Sequence, residues 1–167
     1  MNIEAKNITA AIRVIDNKVA DTIKTYKYKN LSDGWPASAG GSLLHDFKIY
    51  TGALVDYCRM KYNDEVADFL KRYVSGRSDY LNETFTMLKK EYAIEKAKEK
   101  LRAVLTNSPG TADTLIKSAT GDEIIDLANA WSDAKFSFFE TNGSTCINIF
   151  YAKLNELCAK YNCTHSI

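Results

Sequence analysis

Two pairs of carboxylates have a spacing that could support metal chemistry. Glu65 and Asp68 form one pair, and Glu123 and Asp126 form the other. Residues three apart lie one turn from each other on the same face of a helix, so both carboxylates of a pair could reach one cation. Mg²⁺ prefers oxygen ligands of this kind. If two helices brought the pairs together, the four carboxylates could hold Mg²⁺ between them.

The two pairs resemble the motif of the all-helical nucleoside triphosphate pyrophosphohydrolases, in which Glu-x-x-Glu is combined with a nearby Glu-x-x-Asp. Here the first pair reads Glu65-Val66-Ala67-Asp68 and ends in Asp, and the second lies far along the chain. The resemblance implies a Mg²⁺-dependent hydrolase in which Glu65, Asp68, Glu123 and Asp126 are the metal ligands. This enzyme is the first alternative function.

A structural interpretation of the same carboxylates is favoured. Acidic residues are stabilised in the first turn of a helix by the helix dipole, and both pairs follow predicted helix starts. Only two histidines, His45 and His165, are present. The chain also lacks the glycine-rich phosphate loops and the nucleophile elbow of common enzymes. We therefore expect neither catalysis nor a cofactor.

The segment from Lys24 to Lys29 alternates basic and aromatic residues, as single-strand nucleic-acid binders do. Further bases could extend it into a patch: Arg59, Lys61, Arg72 and Arg77. Lysines are also favoured near the C-terminus of a helix, and the net charge of the chain is only +1. Nucleic-acid binding is therefore a second alternative and is not favoured.

A protein partner is the favoured interpretation, and Trp35 is its first candidate contact. The loop from Asn30 to Gly41 is long for a helical bundle and holds Trp35 beside Pro36. Trp35 could instead fold back over the core as a lid. The candidate partner-binding residues are Trp35, Tyr26, Lys27 and Tyr28.

The C-terminal cysteines leave two chemistries open. Cys158, Cys163 and His165, with Cys146 upstream, could supply four zinc ligands, but their spacing matches no common zinc site. Four dispersed cysteines in a chain of 167 residues are more simply free thiols in a reducing compartment. The N-terminus does not resemble a secretory signal and no apolar run is long enough for a membrane span, so we expect a cytoplasmic protein without a membrane partner.

The elements that must position these residues are all helical, because apolar residues recur every three or four positions. The pattern predicts a first helix over residues 3–29 and a second from an N-cap at Ser42 to about Tyr62. Around Asn63 a bend and a break are both open. Gly76 is predicted to end the next helix, and Ser78 to cap the longest one.

The later helices have clearer boundaries. The longest helix is predicted to stop at Asn107-Ser108-Pro109-Gly110, and a short helix follows over residues 111–119. Thr120 and Glu123 have the spacing of a capping box at the start of the next helix. A turn at Asn142-Gly143 then precedes a last helix capped by Ser144.

Short connections predict an all-α, antiparallel bundle of six or seven helices in one domain, residues 1–167. Aromatic residues spread around more than one face of the next-to-last helix, which is either central to the bundle or shared with a second subunit: Trp131, Phe136, Phe138 and Phe139. We predict a small helical binding or regulatory protein that acts through surface contacts with a protein partner, including a second copy of itself in a homodimer or larger homo-oligomer.

Overall fold

The computed structural model describes the backbone of residues 2–30, 39–137 and 143–165, and the side chains of residues 8–27, 40–134 and 146–165. Within these ranges the secondary structure is helical and contains no strand, which confirms the all-α prediction. Six helices are described: α1 (Asn2–Asn30), α2 (Ala39–Lys61), α3 (Asp64–Val104), α4 (Pro109–Ser118), α5 (Gly121–Ser137) and α6 (Gly143–Tyr161).

Two predicted boundaries near the middle of the chain are wrong. Gly76 does not end a helix and Ser78 does not cap one, because α3 runs through both as a single helix of 41 residues. Gly76 is exposed, and a glycine inside an exposed helix lowers its stability by only about 1 kcal/mol relative to alanine. The buried stripe that continues from Leu70 to Leu81 outweighs this cost. The second helix also begins earlier than predicted, at Ala39 instead of after Ser42.

Two other boundaries follow from local hydrogen bonds. The helix is interrupted at Asn63, between α2 and α3. The side-chain Oδ1 of Asn63 accepts a hydrogen bond of 2.8 Å from the backbone N–H of Val66 and so caps α3. The capping box before α5 is present as predicted. The N–H of Glu123 donates to Thr120 Oγ1 over 3.2 Å, and the N–H of Thr120 donates to Glu123 Oε1 over 3.0 Å.

The chain divides into two compact units, residues 1–89 and residues 90–167. The prediction of one domain stays a prediction. In the first unit, α1 and α2 are antiparallel, because Lys18 lies over the ring of Tyr50 while Tyr26 lies beside Gly40. Ile15, Val19, Phe47, Leu70 and Leu81 are among the side chains that form its buried core.

The second unit contains the end of α3 with α4, α5 and α6. The helices α5 and α6 are antiparallel, because Asp126 pairs with Lys153 while Glu123 pairs with Lys160. Trp131 is half-buried and packs on Phe150 with ring centroids 5.0 Å apart. Side chains from all four segments form the core, including Leu101, Leu115, Leu127, Phe150 and Leu154. The side chains of Phe136, Phe138 and Phe139 lie outside the described residues.

None of the helices, as far as residues are described, is long and apolar enough to cross a membrane.

Candidate functional site

The inner face of α2 belongs to the core of the first unit. Its buried side chains follow one another at intervals of four, four and three residues: Phe47, Thr51, Val55 and Cys58. This spacing keeps them on one side of the helix. Thr51 satisfies its buried hydroxyl by donating to the carbonyl of Phe47 over 2.7 Å. One side of α2 is therefore fully used in folding.

The opposite side of α2 is also apolar, but it is exposed. Ile49, Ala53, Tyr57 and Met60 repeat the same intervals, and we call them the α2 stripe. Ile49 is 59% exposed, Tyr57 54% and Met60 89%. A single exposed apolar residue is ordinary, whereas an aligned row along about 16 Å of helix is typical of a binding surface. The α2 stripe is the candidate functional site.

Charged side chains border the α2 stripe with opposite signs at its two ends. Asp46 is exposed and lies two turns before Ala53 on the same face. Lys61 is exposed at the other end, with its Nζ 5.4 Å from the ring centroid of Tyr57. A hydrogen bond to Tyr57 raises the pKa of Lys61, so this lysine is cationic at neutral pH. The surface therefore has an acidic residue, Asp46, at its start and a basic residue, Lys61, at its end, with a second exposed carboxylate, Asp56, one turn before Met60.

The partner-binding residues predicted near the end of α1 do not coincide with this surface. Tyr26 is only 5% exposed, and its ring stacks on Phe85 with centroids 4.4 Å apart. Its hydroxyl donates to the carbonyl of Phe85 over 3.3 Å, and burial raises its pKa. Lys27 is exposed. Trp35 and the side chain of Tyr28 lie outside the described residues, so the role predicted for these four residues stays a prediction.

The carboxylates considered as metal ligands differ in their side-chain partners. In the first unit, Asp68 accepts a hydrogen bond of 3.2 Å from Arg59, which also donates to Asp64 over 2.9 Å, whereas Glu65 is exposed. Arg59 therefore joins the end of α2 to the start of α3. Asp68 Oδ1 therefore already accepts a hydrogen bond from an arginine.

The second pair of carboxylates joins α5 to α6. Glu123 Oε1 accepts a hydrogen bond of 2.5 Å from the hydroxyl of Tyr161, and Oε2 lies 3.0 Å from Lys160 Nζ. The pKa of Glu123 is lowered to about 2, first by the hydrogen bond from Tyr161 and then by those from the backbone N–H of Thr120 and from Lys160. Asp126 accepts a bond of 2.7 Å from Lys153. No group of three or more Cys, His, Asp or Glu side chains in the described part of the chain is placed to hold a metal ion.

The basic patch considered for nucleic acid is partly neutralised. Arg77 Nε lies 3.4 Å from Asp16 Oδ1, which also accepts a hydrogen bond of 2.6 Å from Tyr73. Arg59 is paired with Asp64 and Asp68. Two of the four bases that could extend the Lys24–Lys29 segment therefore already have acidic partners.

A polar cavity of about 570 Å³ lies where the residues after α6 meet the start of α4. Its wall contains four hydroxyl groups, one amide, one thiol, one imidazole and a glycine: Ser108, Gly110, Thr111, Thr114, Asn162, Cys163, Thr164 and His165. Thr111 donates to the carbonyl of Thr164, and His165 Nε2 lies 2.6 Å from Asn155 Oδ1. All four cysteines are free thiols. From the sequence, Cys163 and His165 were candidate zinc ligands, with a free thiol as the simpler interpretation of Cys163, and this cavity was not predicted.

The α2 stripe is not among the sites predicted from the sequence, although the intervals between residues 49, 53, 57 and 60 are those of a helix face. The periodicity alone does not indicate which face of α2 is exposed. Comparison with known proteins gives no match to this chain among family models, curated proteins or solved structures.

Proposed function

We propose that this protein is a small helical binding protein that acts through the α2 stripe, without catalysis, and that the stripe binds a second copy of the chain. The observation that carries the proposal is that α2 has two apolar faces and that folding of its unit buries only one of them. Burial of the other face would release water from apolar surface in the same way as folding does. The cytoplasmic location belongs to this proposal, because the four cysteines are free thiols.

The charges at the ends of the stripe favour a second copy as the occupant. In a symmetric dimer the same surface is used on both subunits, so it must be complementary to itself. If two α2 helices pack antiparallel, Asp46 of each copy faces Lys61 of the other, and the apolar residues of the stripe meet between them. Asp56, exposed on the same face, lies beside Ile49 and Met60 and keeps its carboxylate at the border of the contact. This arrangement therefore forms two Asp46–Lys61 pairs, one at each end of the contact, and covers the stripe.

The size of the surface predicts a weak dimer. One helix face about 16 Å long covers less than the ~800 Å² per partner that is usual for stable complexes. We therefore expect reversible association that depends on protein concentration. Because Met60 is the most exposed large residue of the stripe, it should contribute most to binding.

Sedimentation velocity from about 1 µM to about 500 µM tests the proposal. We expect the wild-type chain to pass from monomer to dimer over this range, and Met60→Asp or Ile49→Asp to weaken association at least about tenfold. Met87→Asp is the matched control, since Met87 is an exposed methionine on α3 outside the stripe. Monomers at every concentration, or equal loss in the control, would exclude the proposed surface.

A charge exchange tests the antiparallel arrangement separately. Asp46→Lys alone places two lysines opposite each other, and Lys61→Asp alone places two aspartates opposite each other, so each change should weaken the dimer. The double variant restores opposite charges and should recover most of the affinity. Association that the double variant fails to recover would argue against Asp46 facing Lys61.

A further inference from the structure

Two thiols meet at the end of α6 because of the way that helix terminates. Asn162 has a positive φ of 54°, and the backbone N–H of Cys163 donates to the carbonyl of Cys158 over 3.0 Å. These are the features of a Schellman motif, in which a left-handed residue follows the helix. The motif brings the side chains five residues apart into contact, and in this chain both are cysteines.

Both side chains belong to the same part of the second unit. Cys158 is buried in the core of the second unit, and Cys163 packs against that core. Burial, with a smaller contribution from the neighbouring Cys163 thiol, raises the pKa of Cys158 to about 12. Cys163 is only half-buried and also forms part of the wall of the polar cavity. One thiol is therefore accessible from the cavity and the other lies behind it.

We propose that Cys163 and Cys158 form a reversible dithiol–disulfide site that reacts with small disulfides such as glutathione disulfide. The Cys163 thiol loses its proton, and its sulfur attacks one sulfur of glutathione disulfide. The S–S bond of glutathione breaks, and the leaving thiolate takes up a proton. Cys163 is then joined to one glutathione.

Cys158 completes the reaction. Once Cys163 carries glutathione, it has no thiol that could ionise beside Cys158, so one cause of the raised pKa of Cys158 is removed and Cys158 loses its proton more easily. The Cys158 thiolate attacks Cys163 Sγ and displaces the second glutathione as a thiol. Two protein thiols have been oxidised to one disulfide, and glutathione disulfide has been reduced to two glutathiones.

Other thiols of the chain provide internal controls. Cys58 is buried in the first unit, and Cys146 is half-buried near the start of α6, twelve residues before Cys158. Neither is placed at a left-handed helix end next to a second cysteine in the described residues. Reaction confined to Cys158 and Cys163 would therefore reflect the geometry of the helix end and not exposure alone.

The test is incubation of the full chain with glutathione disulfide, followed by alkylation of remaining thiols and mapping of disulfides by mass spectrometry. We expect a Cys158–Cys163 disulfide in the wild type, with a mass loss of about 2 Da that reduction reverses. The same product is expected in Cys146→Ser. The wild-type result needs no substitution, so it does not depend on the folding of a variant.

Two substitutions test the order of the steps. Cys158→Ala should stop the reaction at a stable mixed disulfide on Cys163, and Cys163→Ser should leave Cys158 unmodified because Cys158 is buried. Circular dichroism checks that each variant is folded. Absence of the disulfide in the wild type at excess glutathione disulfide, or modification of Cys146 in preference to Cys163, would overturn the proposal.

Discussion

The seam between α5 and α6 and the outer face of α2 present similar side chains in opposite situations. In the seam, the ring of Phe150 packs on Trp131, and the carboxylates of Glu123 and Asp126 bind lysines of the neighbouring helix. On α2, apolar side chains and charges of both signs are exposed to water. Within the described residues, folding covers the facing sides of α5 and α6 and leaves the outer face of α2 exposed.

The largest expected difference between the two regions is in stability. Phe150 is completely buried, so Phe150→Ala should lower the free energy of unfolding by about 3–5 kcal/mol through lost burial and a remaining cavity. Met60→Ala on the α2 stripe should change it by no more than about 0.5 kcal/mol. Urea unfolding followed by circular dichroism at low protein concentration measures both. Similar losses for the two variants would contradict the contrast.

The next effect concerns the pH dependence of the seam. The folded-state pKa of Glu123 is about 2, below its ordinary value of 4.5, so its carboxylate stabilises the fold fully above about pH 4.5. This contribution is lost as the pH falls from about 4.5 to about 2, because protonation disrupts the bonds from Tyr161 and Lys160. Glu123→Gln should lower the urea midpoint at pH 7 and reduce the loss of stability on acidification.

Glu65→Gln is the matched control for that experiment. Glu65 also lies in the first turn of a helix, but it is exposed. We expect its substitution to leave both the urea midpoint and the pH dependence close to those of the wild type. An equal effect at the two glutamates would show that the helix dipole, and not the contact with α6, stabilises Glu123.

A smaller effect is expected from a substitution that changes the stability of α2 without changing its exposed face. Gly52 lies inside α2, and an added methyl group there would meet no atom within 4 Å. Gly52→Ala should raise the free energy of unfolding by about 0.5–1 kcal/mol because alanine favours the helix. The same variant should keep wild-type association in sedimentation experiments, since Gly52 is not part of the stripe. A loss of stability would indicate a close contact at this position.

The smallest expected effect is that of Mg²⁺. Three of the four candidate ligand carboxylates, Asp68, Glu123 and Asp126, already bind arginine or lysine. We therefore expect added Mg²⁺ to leave the melting temperature of the wild type unchanged in differential scanning fluorimetry. A rise that depends on Mg²⁺ and disappears in Glu123→Gln would instead support the alternative of a Mg²⁺-dependent hydrolase.

The sequence predicts features that depend on adjacent residues better than those that depend on packing. The capping box of Thr120 and Glu123 could be predicted because its donors and acceptors lie three residues apart. Gly76 and Ser78 were wrongly predicted as a helix end and a cap, because local preferences there are outweighed by the buried residues of α3. The helical class itself follows from a period that every segment shares.

The candidate sites could be predicted only in part for the same reason. Nothing near Glu123 in the sequence indicates that Tyr161 and Lys160 reach it, since that contact needs the register between two helices. Likewise, the apolar pattern of α2 fits a helix but does not tell which of its two faces is buried. The partner of Tyr26 is Phe85, 59 residues later, so the burial of that tyrosine required the structure.

The carboxylate of Glu123 has a consequence for cooperativity, because it belongs both to the first turn of α5 and to the contact with the last turn of α6. Fraying of the end of α6 would release Tyr161 and Lys160 and leave the start of α5 less firmly capped. The two helix ends should therefore open together, and their slowly exchanging amide hydrogens should report a shared opening free energy.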